Sequence, residues 1–141
     1  MSLEHLFDAE LHYRPGMPPL ASNGEGRLIG SGDGVIRGEK LDGTLRWTLF
    51  EQPGELVCPM NPMLAIVTGD GAELTVAGRG YARREHPDDT VWRVAATLLL
   101  ETDDERYAWL NGRLAVWEGE FDADEEQARY RAYIAPELRV R

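Results

Sequence analysis

Apolar and polar residues alternate with a period of two through most of this chain. From Leu3 to Tyr13, one parity carries Leu3, His5, Phe7, Ala9, Leu11 and Tyr13, and the other carries Glu4, Leu6, Asp8, Glu10 and His12. Such alternation predicts a half-buried strand. Thr90 to Glu101 repeats it, with Trp92, Val94, Ala96, Leu98 and Leu100 on a wholly apolar face and Val91, Arg93, Ala95, Thr97, Leu99 and Glu101 on a mixed one. Two Asp-Gly pairs mark hairpins. Asp42-Gly43 joins Val35–Leu41 to Thr44–Phe50, whose Leu45, Trp47 and Leu49 share a face; Asp70-Gly71 joins Met63–Val67 to Ala72–Ala77. Leu114–Phe121 and Ala128–Ile134 are the last strands, and Arg27–Ile29 is a short early one. Between them, Ser31–Gly34 reads as a turn. It lacks the Lys-Ser/Thr of a phosphate loop, and no helix follows to bind phosphate. Glu51–Pro62, with three prolines and the single cysteine, reads as a loop.

Eight or nine short strands without a long helical pattern predict an all-β fold. An antiparallel barrel is favoured over a sandwich, because several strands are apolar on both parities and closure removes exposed edges. Residues 1–135 make one domain, and 136–141 form a C-terminal tail.

Charge narrows the partners. The formal net charge is −10 over 141 residues, which argues against nucleic acid and anionic membranes. Cys58 is alone, so no internal disulfide forms. The first residues, MSLEHLFDAE, have neither the basic nor the apolar region of a signal peptide. The longest apolar run, Val94–Leu100, is strand-sized, far below the roughly 18 residues of a membrane span. A cytoplasmic protein is the expectation.

Candidate chemistry is sparse. His5, His12 and His86 are scattered, and no Cys or His spacing suits a metal. Ser2, Ser22 and Ser31 show no nucleophile elbow. Cys58 precedes Pro59 with no identifiable base, so a catalytic role is not expected. The acidic loops at 84–89, 101–105 and 122–126 lack calcium-loop spacing. No cofactor motif is present. If Tyr107, Trp109 and Asn111 lie in extended chain, they share a face that combines aromatic area, a phenol and an amide, the makeup of a pocket wall. The bland alternative is an aromatic plug with Asn111 capping the turn. Arg93, Arg46 or Arg79, if turned into a barrel, holds an oxyanion through its fork; otherwise each is a solvated outer residue.

Several stretches together resemble a known family. They are Gly34-Val35-Ile36-Arg37-Gly38 with Leu41 and Gly43, then Val67–Ala72 with Arg79-Gly80, then Trp92-Arg93, Glu101-Thr102 and Tyr107-Ala108-Trp109-Leu110-Asn111. The pattern looks like the bacterial family known as domain of unknown function 3237, over about the whole chain. The resemblance implies a small antiparallel barrel with an enclosed cavity and no established activity. The chain departs from the usual pattern around Leu49–Met63.

Two functions follow as expectations. The first is a barrel that binds a small, largely apolar, oxygenated molecule, with cofactor-free isomerase, lyase or cyclase chemistry if it is an enzyme. Tyr107 and Arg93 are the candidate catalytic residues. Trp47, Arg46, Arg93, Tyr107, Trp109 and Asn111 are the candidate ligand-binding residues, with the site at the barrel mouth shaped by Trp47, Tyr107, Trp109 and Asn111. The second is a filled barrel acting as a structural or dimerisation module. A homodimer is expected because Leu114, Ala115, Val116 and Trp117 place apolar groups on both faces of one strand.

Overall fold

A computed structural model describes residues 2–137. Residues 138–141 of the expected tail lie outside the described residues. Eight antiparallel strands close in sequence order, each bonded to the next and β8 to β1. They are β1 (Glu4–Tyr13), β2 (Arg27–Arg37), β3 (Gly43–Glu51), β4 (Val57–Thr68), β5 (Glu73–Arg83), β6 (Val91–Glu101), β7 (Ala115–Asp122) and β8 (Gln127–Ile134). One short 3-10 helix, Glu105–Leu110, interrupts the β6–β7 connection. The barrel expected from the alternation is therefore present, and the sandwich is not.

The alternation sets which face is buried. On β6, Val94, Ala96, Leu98 and Leu100 are buried while Arg93, Ala95, Thr97 and Leu99 are exposed. Leu74, Val76, Trp117, Tyr130, Ala132 and Ile134 join them in one continuous apolar core. The outer wall carries charge in cross-strand order: Arg83 pairs with Arg93, Arg93 with Glu120, and Glu120 with Arg129. No helix among the described residues is long and apolar enough to cross a membrane.

Three local expectations are corrected. Ser31–Gly34 is not a turn but the middle of β2, which pairs with β1 and β3. Its glycines serve close approach rather than a bend. A Cβ on Gly32 would lie 1.9 Å from the His12 carbonyl oxygen and 2.6 Å from the Trp47 indole. Residues 57–62 are not loop but the first half of β4. Prolines lack the N–H that a central ladder needs. The β4–β5 register accordingly skips Asn61 and Pro62. The Asn61 side-chain amide donates to the Gly78 carbonyl (2.6 Å) in place of a backbone bond. Finally, Tyr107–Asn111 is not extended: Tyr107, Trp109 and Leu110 lie in the 3-10 helix.

One further feature explains β3. Thr48 and Phe50 point outward and are still buried. Residues 14–26 fold back over them. The Leu20 N–H donates to Thr48 Oγ1 (2.8 Å), Ser31 Oγ and Thr48 Oγ1 are hydrogen-bonded (3.0 Å), and Gly24 sits against the Phe50 ring.

Candidate functional site

An antiparallel meander puts alternate connections at opposite ends of the barrel. Residues 38–42, 69–72 and 102–114 gather at a lower mouth; residues 14–26, 52–56, 84–90 and 123–126 gather at an upper one. This separates the expected ligand residues. Tyr107, Trp109 and Asn111 belong to the lower mouth, whereas Trp47 points into the upper half of the barrel.

At the lower mouth these residues are bound into structure. Leu110 is the buried residue of the 3-10 helix, at 0% exposure. Trp109 stands outside at 38% exposure, with the Arg113 guanidinium 5.7 Å from its ring centre. Asn111 clamps the connection: its Oδ1 accepts the Thr102 N–H (3.0 Å) and its Nδ2 donates to the Thr102 carbonyl (2.9 Å). The Tyr107 hydroxyl donates to Asp70 Oδ1 (2.9 Å) in the β4–β5 turn, and Arg106 pairs with Asp104 (2.8 Å) and Asp70 (3.4 Å). The Asp70 carboxyl is held below its ordinary range, first by the Thr68 hydroxyl and then by Tyr107 and Arg106. Burial, seconded by the Asp70 hydrogen bond, raises the Tyr107 phenol. The lower mouth is thus closed by a leucine plug and fastened by a polar network.

The expected cavity arginines are outside. Arg46 is exposed and donates to the Pro18 carbonyl (3.2 Å). Arg93 is exposed on the outer face of β6. Arg79 pairs with Glu25, both exposed. The physical reason is that a buried guanidinium needs a buried counter-charge, and the inner wall offers apolar side chains.

The upper mouth is different. Leu11, Trp47, Leu49, Met60, Pro62, Leu64, Trp117, Phe121, Ala128 and Tyr130, with Glu126 at the rim, surround a cavity of about 30 Å³. On the neighbouring strands β7 and β8, Trp117 and Tyr130 stack with ring centres 4.2 Å apart and planes 25° apart. Both are buried, at 2% and 6% exposure. The Trp117 indole N–H has no hydrogen-bond partner among the described residues. Burial alone raises the Tyr130 phenol far above its usual range, with no hydrogen bond contributing, so it stays a neutral O–H. Trp47, by contrast, is satisfied: its indole N–H is shared by the carbonyls of His12 (3.1 Å) and Asp33 (3.2 Å).

The rim adds three polar groups. Glu51 is the β4 partner of Met60, so its half-buried carboxyl sits on the inner face just above the cavity. Burial raises its carboxyl from the ordinary value, opposed by Arg27. Cys58 is a buried free thiol on the same inner row as Met60, also raised by burial, and it donates to the Gly54 carbonyl (3.3 Å). Arg84 lies 4.2 Å over the Trp92 ring and ties the loops together by donating to the carbonyls of Glu55 (2.7 Å) and Asp89 (3.0 Å). Glu126 holds a left-handed backbone (φ 55°), uncommon without glycine, in the β7–β8 turn.

Sequence reasoning found Trp47 and missed Trp117, Tyr130 and Glu51. A faint signal existed. Around Trp117 and Tyr130 the inward positions are Ala115, Gly119, Ala128 and Ala132, small residues that leave room for two large rings to reach across the barrel.

Comparison with known proteins shows the same fold elsewhere. A crystal structure of a β-barrel-like protein from Acinetobacter baumannii AYE is similar at a TM-score of 0.75 and 18% identity, covering 94% of each chain. A protein of unknown function from Clostridium acetobutylicum ATCC 824 is similar at 0.70 and 15% identity, over 96% of this chain and 100% of that one. An enzyme from Penicillium herquei is similar at 0.58 and 24% identity, over 94% and 93%. No curated protein matches the chain. Residues 1–135 match the family described as "Protein of unknown function (DUF3237)", and the chain belongs to that family.

Proposed function

We propose that the barrel binds a small, flat, largely apolar molecule carrying an oxygen atom, and that it does so at the upper mouth. The observation that carries this reading is the Trp117 N–H, buried and unpartnered beside a cavity. A buried donor without an acceptor costs about 1–3 kcal/mol. An incoming carbonyl or hydroxyl oxygen relieves that cost. The cavity, about 30 Å³, is enough for a group the size of a water molecule. The oxygen-bearing end therefore occupies it, and the apolar body lies among the half-buried Leu49 and Phe121 and the adaptable Met60. Binding places are usually apolar walls with a few convergent polar groups, which fits these side chains. The similar protein from Penicillium herquei is an enzyme.

Titration with 2-acetonaphthone, 2-naphthol and naphthalene, followed by tryptophan fluorescence and calorimetry, tests this. Binding of the two oxygenated probes, weakened about tenfold by Trp117→Phe while naphthalene is unaffected, is the expected result. Failure of all three probes to bind at millimolar concentration refutes it.

A second reading is a filled barrel that serves as a dimerisation module. The small cavity favours it, as does the outer wall, where Tyr81 is 57% and Leu99 61% exposed. The dimer face expected at Leu114–Trp117 is reduced to Leu114 and Val116, because Ala115 and Trp117 are core. Light scattering of the wild type and Tyr81→Glu separates the readings. A concentration-dependent dimer lost in the variant, with no probe binding, favours the module.

A further inference from the structure

The upper mouth holds two kinds of polar group on facing walls. Trp117 and Tyr130 stand on β7 and β8. Glu51 stands at the end of β3, and in a closed barrel of eight strands β3 faces β7. Between them stand the apolar side chains of Leu49, Met60, Pro62 and Phe121, with the Glu126 carboxylate at the rim. Glu51 makes no ion pair among the described residues. A carboxyl in such surroundings is a stronger base than one in water.

From this geometry, and resting on the site proposed above, we infer that the mouth performs proton transfer on an enolisable ketone fused to an apolar ring system. Glu51 takes the proton from the carbon beside the carbonyl. The C–H electron pair forms the new C=C bond, and the C=O π pair moves onto oxygen. That oxygen, now an enolate, is held by the Trp117 N–H and the Tyr130 O–H. The protonated Glu51 either exchanges its proton with solvent and reprotonates the same carbon, which is an exchange, or delivers its proton to a conjugated carbon, which is an isomerisation. Nothing is oxidised or reduced, and the balance closes on the substrate, Glu51 and, for exchange, a solvent proton. Donors fixed where charge develops lower such barriers, and a carboxyl whose pKa burial raises is the stronger base. Arg84 is a positioning residue: its hydrogen bonds hold the 52–56 and 84–90 loops around Glu51 and Cys58.

The probe is 2-tetralone in deuterated buffer, with loss of its C1 proton signal followed by proton NMR. The wild-type protein is expected to speed exchange over buffer. Glu51→Gln should lower that acceleration by about 100-fold or more, while calorimetry shows 2-tetralone still bound. Tyr130→Phe should lower the exchange rate more than the affinity. Binding of 2-tetralone without faster exchange overturns this inference and leaves the binding site standing. Exchange unchanged in Glu51→Gln overturns it as well. No binding of 2-tetralone overturns this inference too, while the naphthyl-probe titration decides the binding reading separately. Circular dichroism of each variant separates loss of the group from loss of the fold.

Discussion

Trp117→Phe weighs the value of one unpartnered N–H. The indole is 2% exposed and stacked on Tyr130, and its nitrogen has no acceptor. Removing an unsatisfied buried donor recovers about 1–3 kcal/mol. The smaller ring leaves roughly 40 Å³ unfilled, which at about 24 cal/mol per Å³ costs about 1 kcal/mol. Lost transfer free energy for the deleted atoms costs about 1 kcal/mol more. The sum lies near zero, within about 1 kcal/mol of the wild type. Urea unfolding measures it, with an unchanged slope as evidence that both proteins unfold between the same states. A donor that already had a good partner would instead lose the hydrogen bond and the packing together. A loss above about 3 kcal/mol therefore refutes the reasoning. The same titration with 2-acetonaphthone present adds the functional half: at 100 times Kd the wild type gains about 2.7 kcal/mol, and a tenfold weaker variant gains about 1.4 kcal/mol.

Four further outcomes are expected. Leu110→Ala should cost about 2–5 kcal/mol in urea unfolding, as for a fully buried leucine, whereas Trp109→Ala should cost under about 1 kcal/mol; a reversed order would make Trp109 the plug. Asp70 has its folded pKa lowered, so its stabilisation is full above the unfolded carboxylate value near about 4 and is lost as pH falls through the folded value. Tyr107→Phe should flatten that acid loss in a melting series from pH 6 to pH 2. Glu51 has its folded pKa raised, so it destabilises the fold increasingly as pH rises through that value; Glu51→Gln should stabilise at pH 8 and not at pH 4, in a neighbourhood that includes Arg27 and Cys58. Gly32→Ala should cost several kcal/mol or block folding, because its Cβ meets the His12 carbonyl at 1.9 Å; an unchanged urea midpoint contradicts that contact.

Much of the fold was legible because strand periodicity is a local property. On β1, β5, β6 and β8 the apolar parity is the inner wall, since burying the other parity would place Arg93, Arg129 and Glu10 in hydrocarbon. Length, net charge and a lone cysteine were likewise fixed without coordinates. Two stretches misled for a local reason. Glycine and proline usually mark turns, but at Gly32 the missing side chain makes room for Trp47, and at Pro62 an asparagine neighbour replaces the lost hydrogen bond.

Tertiary structure alone decided which ends of the strands meet and therefore what the site is. Trp47 and Tyr107 looked like partners by residue type, yet strand direction sends one to the upper mouth and the other to the lower. The Trp117–Tyr130 stack joins neighbouring strands at inner positions that only the β7–β8 register reveals. Glu51 reads as a loop carboxylate until its pairing with Met60 turns it inward. Periodicity tells each strand which face to bury; the register around the closed barrel determines which buried faces look at one another, and that is a property of all eight strands together.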